Sequence, residues 1–403
     1  MKVICDRGAL LDAVNLVAAV VPSRTPTPAL SCVKLVATKA GGGAAAELTL
    51  AGTDAETSLQ IALAHVDVQT PGQAAIPADK LRQIVSAEEG EPTLAIEVDG
   101  DTCHIRGGNA HFKIVCFPAQ DFPPLPDFAA TVAGTAKGGE APKSVFSQPA
   151  GALLELVTRT MFATARETSR YAINGVLLKR DGKKLEMVAT DGRRLALSKA
   201  SLTGGKADAA GGAVSCIVPT KALSLLTKLV RDPEETVRTA ITDSRIFFAF
   251  DKAGGDGKEK SRPHAVLSST LVEGTFPPYE DVIPKDQDKK ILANREELTS
   301  AVRKAKVLTN EESRGVRMAF GGKRLKLSSR APEMGESEIS IDLSSYEGSE
   351  IEISFNPDFI TEGLKVLPDS DVIFELKAPN KPGLIRSAAG DFLYVVMPVN
   401  LPT

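Results

Sequence analysis

LEMVATDGRRLALS (185–198) sets an acid and two arginines between two apolar runs that alternate with polar residues. Alternation with period two reads as strand, and Asp-Gly between two such runs reads as a two-residue hairpin corner with both central residues at positive φ. Asp191 is then a turn residue. That register puts Leu185, Met187, Ala189 and Ala196 on one face and Val188, Leu195 and Leu197 on the other. A sheet covered by helices on one side should be polar on the other. The surplus apolar residues therefore mean either a covered strand or a binding groove, and periodicity leaves both open.

The stretch is one of three. LTLAGTDAETSLQI (48–61) places Thr53-Asp54 where Thr190-Asp191 stand, and LKLSSRAPEMGESEISI (325–341) has Arg330 at the threonine position. These anchors lie about 137 and 140 residues apart, a domain-sized period. Each copy is preceded by an amphipathic helix pattern and a strand (9–37, 151–180 and 295–320) and followed by a helix launched near a proline: IPADKLRQIV, VPTKALSLLTKLV and NPDFITEGLKVL. Copies one and two close on similar text, DFPPLP (121–126) and TFPPYEDVIP (275–284). The fold class expected is α+β, with three tandem similar domains at 1–128, 144–284 and 285–403, each with two helices on antiparallel sheets. Residues 129–143 are Gly-, Ala- and Lys-rich and read as a linker, and 204–214 and 251–264 as long surface loops.

With 43% hydrophobic and 25% charged residues and a net charge of -3, the 403-residue chain has the composition of a globular protein without the overall basicity of a nucleic-acid binder. Five scattered cysteines argue against a disulfide framework, and Asp6, Arg7 and Asp12 interrupt any signal-peptide core. No apolar run is long enough for a membrane span, so a cytoplasmic location is expected. The helices nevertheless lean basic. Lys221, Ser224, Lys228 and Arg231 share one face against Leu223, Leu226, Leu229 and Val230; Arg295, Thr299, Arg303 and Lys306 repeat the arrangement against Leu298, Val302 and Ala305. Arg159, Arg166 and Arg170 extend it in the middle copy, and Lys80 and Arg82 in the first. Repetition over equivalent helices favours a surface facing a polyanion.

Sites for chemistry are not found. Cys103, His104, His111 and Cys116 in CHIRGGNAHFKIVC divide between opposite faces of a hairpin, so four ligands do not converge and no metal is expected. Phosphate-loop, G-x-S-x-G and H-E-x-x-H patterns are absent from the sequence. Acid pairs such as Glu296-Glu297 read as capping, and no cofactor or catalytic residue is assigned.

SRYAINGVLL, VATDGRRLAL, GTFPPYEDVIPK, TNEESRGVRM and YVVMPVNL, in this order, resemble the signature blocks of the bacterial DNA polymerase III beta subunit, the processivity sliding clamp. The resemblance spans essentially the whole chain. It implies a DNA clamp fold in which two protomers join head to tail as a closed homodimeric ring around duplex DNA, held by topology without base readout. It also implies a clamp loader and the polymerase III catalytic subunit as partners, with other proteins that carry the same docking motif. Arg24, Arg166, Arg170, Tyr171 and Lys221 match DNA-contacting positions, to which the charged faces add Lys80, Arg82, Arg159, Lys228, Arg231, Arg303 and Lys306. The family's peptide cleft maps onto Ile173, Thr190, Gly192, Arg193, Arg194, Leu195, Pro277, Val282, Asn356, Phe359, Val395, Met397, Pro398 and Val399, with Arg193 and Arg194 expected on its rim. Phe112, Ile114, Val307 and Leu308 match the subunit contact. Departures are Asp79 and Thr220 at positions often basic, Arg193 for the usual His, Glu280-Asp281 where basic residues are common, Asn400 for a terminal Arg, and the added Pro402-Thr403. A sequence-specific DNA-binding regulator and a carboxylate hydrolase are the alternatives, and no helix-turn-helix pattern or converging acids support them.

Overall fold

Strand and helix periods along the chain predict the elements of the computed structural model, which describes residues 1–41, 45–136, 139–165, 171–202, 213–251, 263–309, 315–331 and 334–400. Seven helices occur among them: α1 (Arg7–Ala18), α2 (Ala78–Ala87), α3 (Phe128–Val132), α4 (Ala150–Met161), α5 (Thr220–Leu229), α6 (Arg295–Lys306) and α7 (Pro357–Lys365). Their starts follow from local chemistry. The Asp6 carboxylate accepts from Ala9 N at 2.7 Å, Asn294 caps Glu296 and Glu297, and Asn356 caps Asp358 ahead of Pro357. In α6, Leu298, Val302 and Ala305 are buried while Arg303 and Lys306 stay exposed, as the three-and-four spacing requires. The stretch read as linker begins with the short α3, capped by Asp127. Most of the two stretches read as surface loops lies outside the described residues.

Two compact units form, and they run across the sequence repeats. One holds the chain up to Leu154 together with Lys221–Leu271; the other holds Glu155–Leu202, Ser215–Thr220 and the chain from Val272. In the first unit, a five-stranded sheet runs Asp67–Thr70, Lys2–Asp6, Thr93–Asp99, Thr102–Arg106, His111–Val115. An eight-stranded sheet runs from Ser144–Pro149 through Thr236–Ile241, Arg245–Asp251 and Ala265–Thr270 to Thr57–Leu63, Glu47–Thr53, Cys32–Thr38 and Gly72–Pro77. In the second unit, a nine-stranded sheet likewise joins Arg194–Ser201 of the middle repeat to Phe392–Val396 of the last. A four-stranded sheet there ends on Gly335–Asp342. All described pairings are antiparallel.

Two joins therefore stitch successive repeats together. In one, Ser58 lies opposite Ser268; in the other, Leu195 lies opposite Val395. Strands Gly335–Asp342 and His111–Val115 hold the corresponding places in their own repeats, and each ends its sheet without a neighbour on one side among the described strands. In the hairpin ending at Val115, Cys103 pairs with Ile114 and Ile105 with Phe112, the face assignment that alternation predicts. No described helix is long and apolar enough to cross a membrane.

Candidate functional site

The corner of LEMVATDGRRLALS differs from the two-residue Asp-Gly turn. Thr190 pairs with Leu195, Asp191 N donates to Arg194 O at 3.4 Å, and only Gly192 takes a positive φ, of 85°. The corner is Gly192-Arg193. Asp191 turns the chain with its side chain instead: Oδ1 accepts from Arg193 N at 2.9 Å and Arg194 N at 3.0 Å. The Thr190 hydroxyl donates to Arg194 O at 2.7 Å and accepts from Gly192 N at 3.1 Å. The first repeat reproduces this nearly atom for atom: Asp54 Oδ1 accepts from Glu56 N and Thr57 N, Thr53 Oγ1 donates to Thr57 O, and Ala55 takes the positive φ, of 80°. A two-residue shift in pairing preserves parity, so the predicted faces hold.

Both readings of the surplus apolar face apply. Val188, Leu195 and Leu197 are buried in a cluster with Leu177, Ile217, Leu393 and Val395, against which Val272, Phe276 and Ile283 pack. Where this cover ends, a pocket of about 200 Å³ opens. Its wall brings together nine of the residues assigned to the cleft: Ile173, Thr190, Gly192, Arg194, Leu195, Pro277, Val282, Val395 and Met397. Arg193, Asn356, Phe359, Pro398 and Val399 are not among its lining. Val282 is 46% and Met397 38% exposed, so apolar surface at the mouth faces solvent. The chain end is held by main-chain bonds from Met397 N to Arg193 O at 2.9 Å and Val399 N to Ser354 O at 2.8 Å.

Three lining residues escaped assignment to the cleft: Tyr171, Pro278 and Tyr279. Tyr279 is buried with its hydroxyl accepting from Lys179 Nζ at 3.1 Å, and Lys179 also reaches Glu280 at 3.1 Å. That hydrogen bond to Tyr279, reinforced by Glu280, pushes the Lys179 ammonium up to about 12. An aromatic residue directly after Pro-Pro was the available signal. Tyr171, assigned to DNA by resemblance, lines this pocket and is 37% exposed.

Arg194 corrects the rim assignment. Its side chain is 9% exposed, because Nε donates to Asp191 Oδ2 at 3.0 Å, one terminal nitrogen to Glu362 of α7 and the other to Phe162 O at 2.9 Å. The guanidinium also sits 4.4 Å from the Phe359 ring centroid. It ties the hairpin to α7 behind the pocket. Asn356 spends its side-chain oxygen as the α7 cap, and the Phe359 ring packs against the Arg194 guanidinium. Arg193 is exposed.

The residues assigned to DNA separate into groups. Arg24, Lys80, Arg82, Lys221, Lys228, Arg231, Arg303 and Lys306 are exposed. Several carry local carboxylate partners: Asp79 for Arg82 at 3.8 Å, Asp54 for Lys221, Asp12 for Arg231 at 3.0 Å and Asp358 for Lys306. The Arg82, Arg231 and Lys306 pairs are exposed and contribute about 0 to 1 kcal/mol each, whereas Asp54 beside Lys221 is only 17% exposed and also caps its own turn. Arg159 does not belong with them. It is 5% exposed and committed to Glu155 and to Asp391 at 2.9 Å, because its turn of α4 faces the strand corner and not solvent. Arg166, Arg170 and the Pro402-Thr403 extension lie outside the described residues.

Phe112, Ile114 and Leu308 are half-buried and Val307 is 70% exposed. Among the described residues no three His, Cys, Asp or Glu side chains cluster to hold a metal.

Family models of the DNA polymerase III beta subunit match almost the whole chain: the N-terminal domain over residues 1–126, the central domain over 149–278 and the C-terminal domain over 280–400. The beta sliding clamp of Pseudomonas putida is 32% identical over 399 residues, covering 98% of this chain and 99% of the relative. That of Escherichia coli K12 is 30% identical over 405 residues, with both chains fully covered. The crystal structure of the Pseudomonas aeruginosa sliding clamp bound to griselimycin superposes with a TM-score of 0.85 at 31% identity, and that of the Bacillus subtilis clamp with 0.86 at 27%, each covering 100% of both chains.

Proposed function

Because the chain belongs to the DNA polymerase III beta subunit family, we propose that it is a non-catalytic sliding clamp: a head-to-tail homodimeric ring that encircles duplex DNA and tethers the replicative polymerase. The observation that carries this reading is the pattern of joins. Three equivalent repeats make two internal strand-to-strand joins and leave the two strands of a third join, one in the first repeat and one in the last, with no neighbour on one side among the described strands. An open sheet edge is a template for another chain. Two copies satisfy both edges of both chains, and the exposed cations of α2, α5 and α6 then serve a phosphate backbone without reading bases. The Leu195–Met397 pocket takes an apolar side chain from an extended peptide of the polymerase, the clamp loader or another partner. The polar Ser58–Ser268 pair at the other join, bonded at 2.7 Å, offers no such wall.

Retention on nicked circular DNA tests the clamp. After loading by its own loader, linearising the circle should release the protein. Equal retention on cut and uncut DNA would overturn topological binding, and sequence-dependent retention would favour a regulator. Deleting residues 397–403 should abolish polymerase binding while the dimer persists; loss of both would identify that segment as structural.

A further inference from the structure

We propose that His104 and His111 form a two-histidine site for a divalent transition-metal ion of the zinc, nickel and copper class, held across the hairpin of strands Thr102–Arg106 and His111–Val115. The alternation that keeps Cys103, His104, His111 and Cys116 from converging on one point also gathers two of them. Cys103 and Cys116 are buried. On the outward face His104 pairs with Lys113 and Arg106 with His111, so the two histidines are diagonal neighbours across the strands, a spacing that aromatic side chains span. His104 Nδ1 lies 2.9 Å from His111 Nε2 while the ring centroids are 5.2 Å apart. The rings therefore meet nitrogen to nitrogen and not face to face.

Distance, lone pairs and charge each suit this pair to a metal. Imidazole nitrogens bind such ions at about 2.0 to 2.1 Å, which sets two ligands about 2.9 Å apart at a right angle and about 3.3 Å apart at a tetrahedral angle. The separation in the hairpin is the first of these, so the strands need not move. A hydrogen bond between two imidazoles requires one ring to present a lone pair and the other a proton. The ion takes the place of that proton once both rings turn about their Cβ–Cγ bonds, a soft torsion. His111 is exposed and His104 half-buried, so the way in is open. Glu97, opposite His104, holds the Arg106 guanidinium at 2.7 Å, and these two charges offset each other. Lys113 is the cation that remains, and it opposes the ion. Among the described residues no third His, Cys, Asp or Glu joins the pair, so water completes the coordination. Two imidazoles with water favour nickel, copper and zinc over magnesium and calcium, which take oxygen ligands. The ion ties an end strand of its sheet, one without a neighbour on its other side among the described strands, to the strand before it.

Calorimetric titration of the full chain with nickel(II), in a buffer that does not chelate it, tests the site. One ion should bind per chain, and a large excess of magnesium should not displace it. His104→Gln and His111→Gln should each weaken binding by at least about tenfold, since losing even a group behind a ligand costs that much. The other two histidines serve as controls: His65 is exposed and has no such neighbour among the described residues, and His264 is engaged by Glu235 at 3.1 Å. His65→Gln should leave affinity unchanged. Lys113→Gln removes a like charge beside the ion and should tighten binding about two- to threefold. Hydrogen exchange gives a second measurement: backbone amides of residues 102–115 should exchange more slowly with nickel bound, in the parent and not in His104→Gln. No binding, binding that survives both single substitutions, or protection that appears only away from the hairpin overturns the site.

Discussion

Ala55 and Gly192 occupy the same corner of two copies of one turn, so glycine and alanine substituted at these places should act in opposite directions. Ala55 has φ 80° and Gly192 φ 85°. A left-handed conformation costs a side-chain-bearing residue roughly 1 to 2 kcal/mol, and glycine gives back about 0.4 to 1 kcal/mol through its freer unfolded chain. Ala55→Gly should therefore stabilise by about 0.5 to 1 kcal/mol. A Cβ at Gly192 meets nothing within 4 Å, so Gly192→Ala adds strain without a clash and should cost about the same. The assay is equilibrium urea unfolding at fixed protein concentration, with slopes unchanged so that midpoint shifts report stability. The reasoning is refuted if Ala55→Gly destabilises, or if both variants match the parent within about 0.2 kcal/mol, because the hydrogen bonds of the two turns are then not enforcing the conformation.

Other consequences concern buried charge and thiols. Arg194→Met leaves Asp191 and Glu362 without their shared cation and should destabilise by about 3 kcal/mol in urea unfolding; Arg194→Lys should recover little, because one ammonium cannot serve three partners placed for a planar fork. Burial, with Asp232 and Asp251 nearby, pushes the Glu235 carboxyl up to about 7 from an ordinary 4.5, next to His264 at 3.1 Å. A raised acid holds its proton more tightly when folded, so its contribution is full below about 4.5 and is lost as pH rises through about 7. Glu235→Gln should remove that slope, worth at most about 3 kcal/mol between unfolding measured at pH 5 and at pH 8. Burial also pushes the thiols of Cys5, Cys103 and Cys216 up to about 12 and Cys32 to about 11, so a thiol reagent at pH 8 should modify the folded protein far more slowly than the urea-unfolded chain. Rapid labelling of folded protein would contradict the burial.

What the sequence disclosed was local or periodic. Helix faces, hairpin faces and the threefold recurrence of Thr53, Thr190 and Arg330 all rest on spacings of two, three and four or on long repetition, which need no tertiary contact to be seen. The partner of Leu195 is another matter. Val395 lies 200 residues away, and nothing in either strand records which edge it will meet. Arg194 was read as a rim residue because charge predicts exposure; its burial depends on Glu362 and Phe359 of α7 arriving together. Arg159 fails for the same reason, through Asp391. Asp191-Gly192 suggested the commoner two-residue hairpin because composition is blind to an aspartate side chain that substitutes for a backbone acceptor.

The serine pair at the first join, Ser58 and Ser268, has a consequence for traffic. Where Leu195 and Val395 put apolar side chains on the wall of a pocket, Ser58 and Ser268 at the duplicated join put hydroxyls that satisfy one another. Under the docking role proposed for the Leu195 pocket, partners that share it take turns, and how quickly one leaves sets how soon the next can dock.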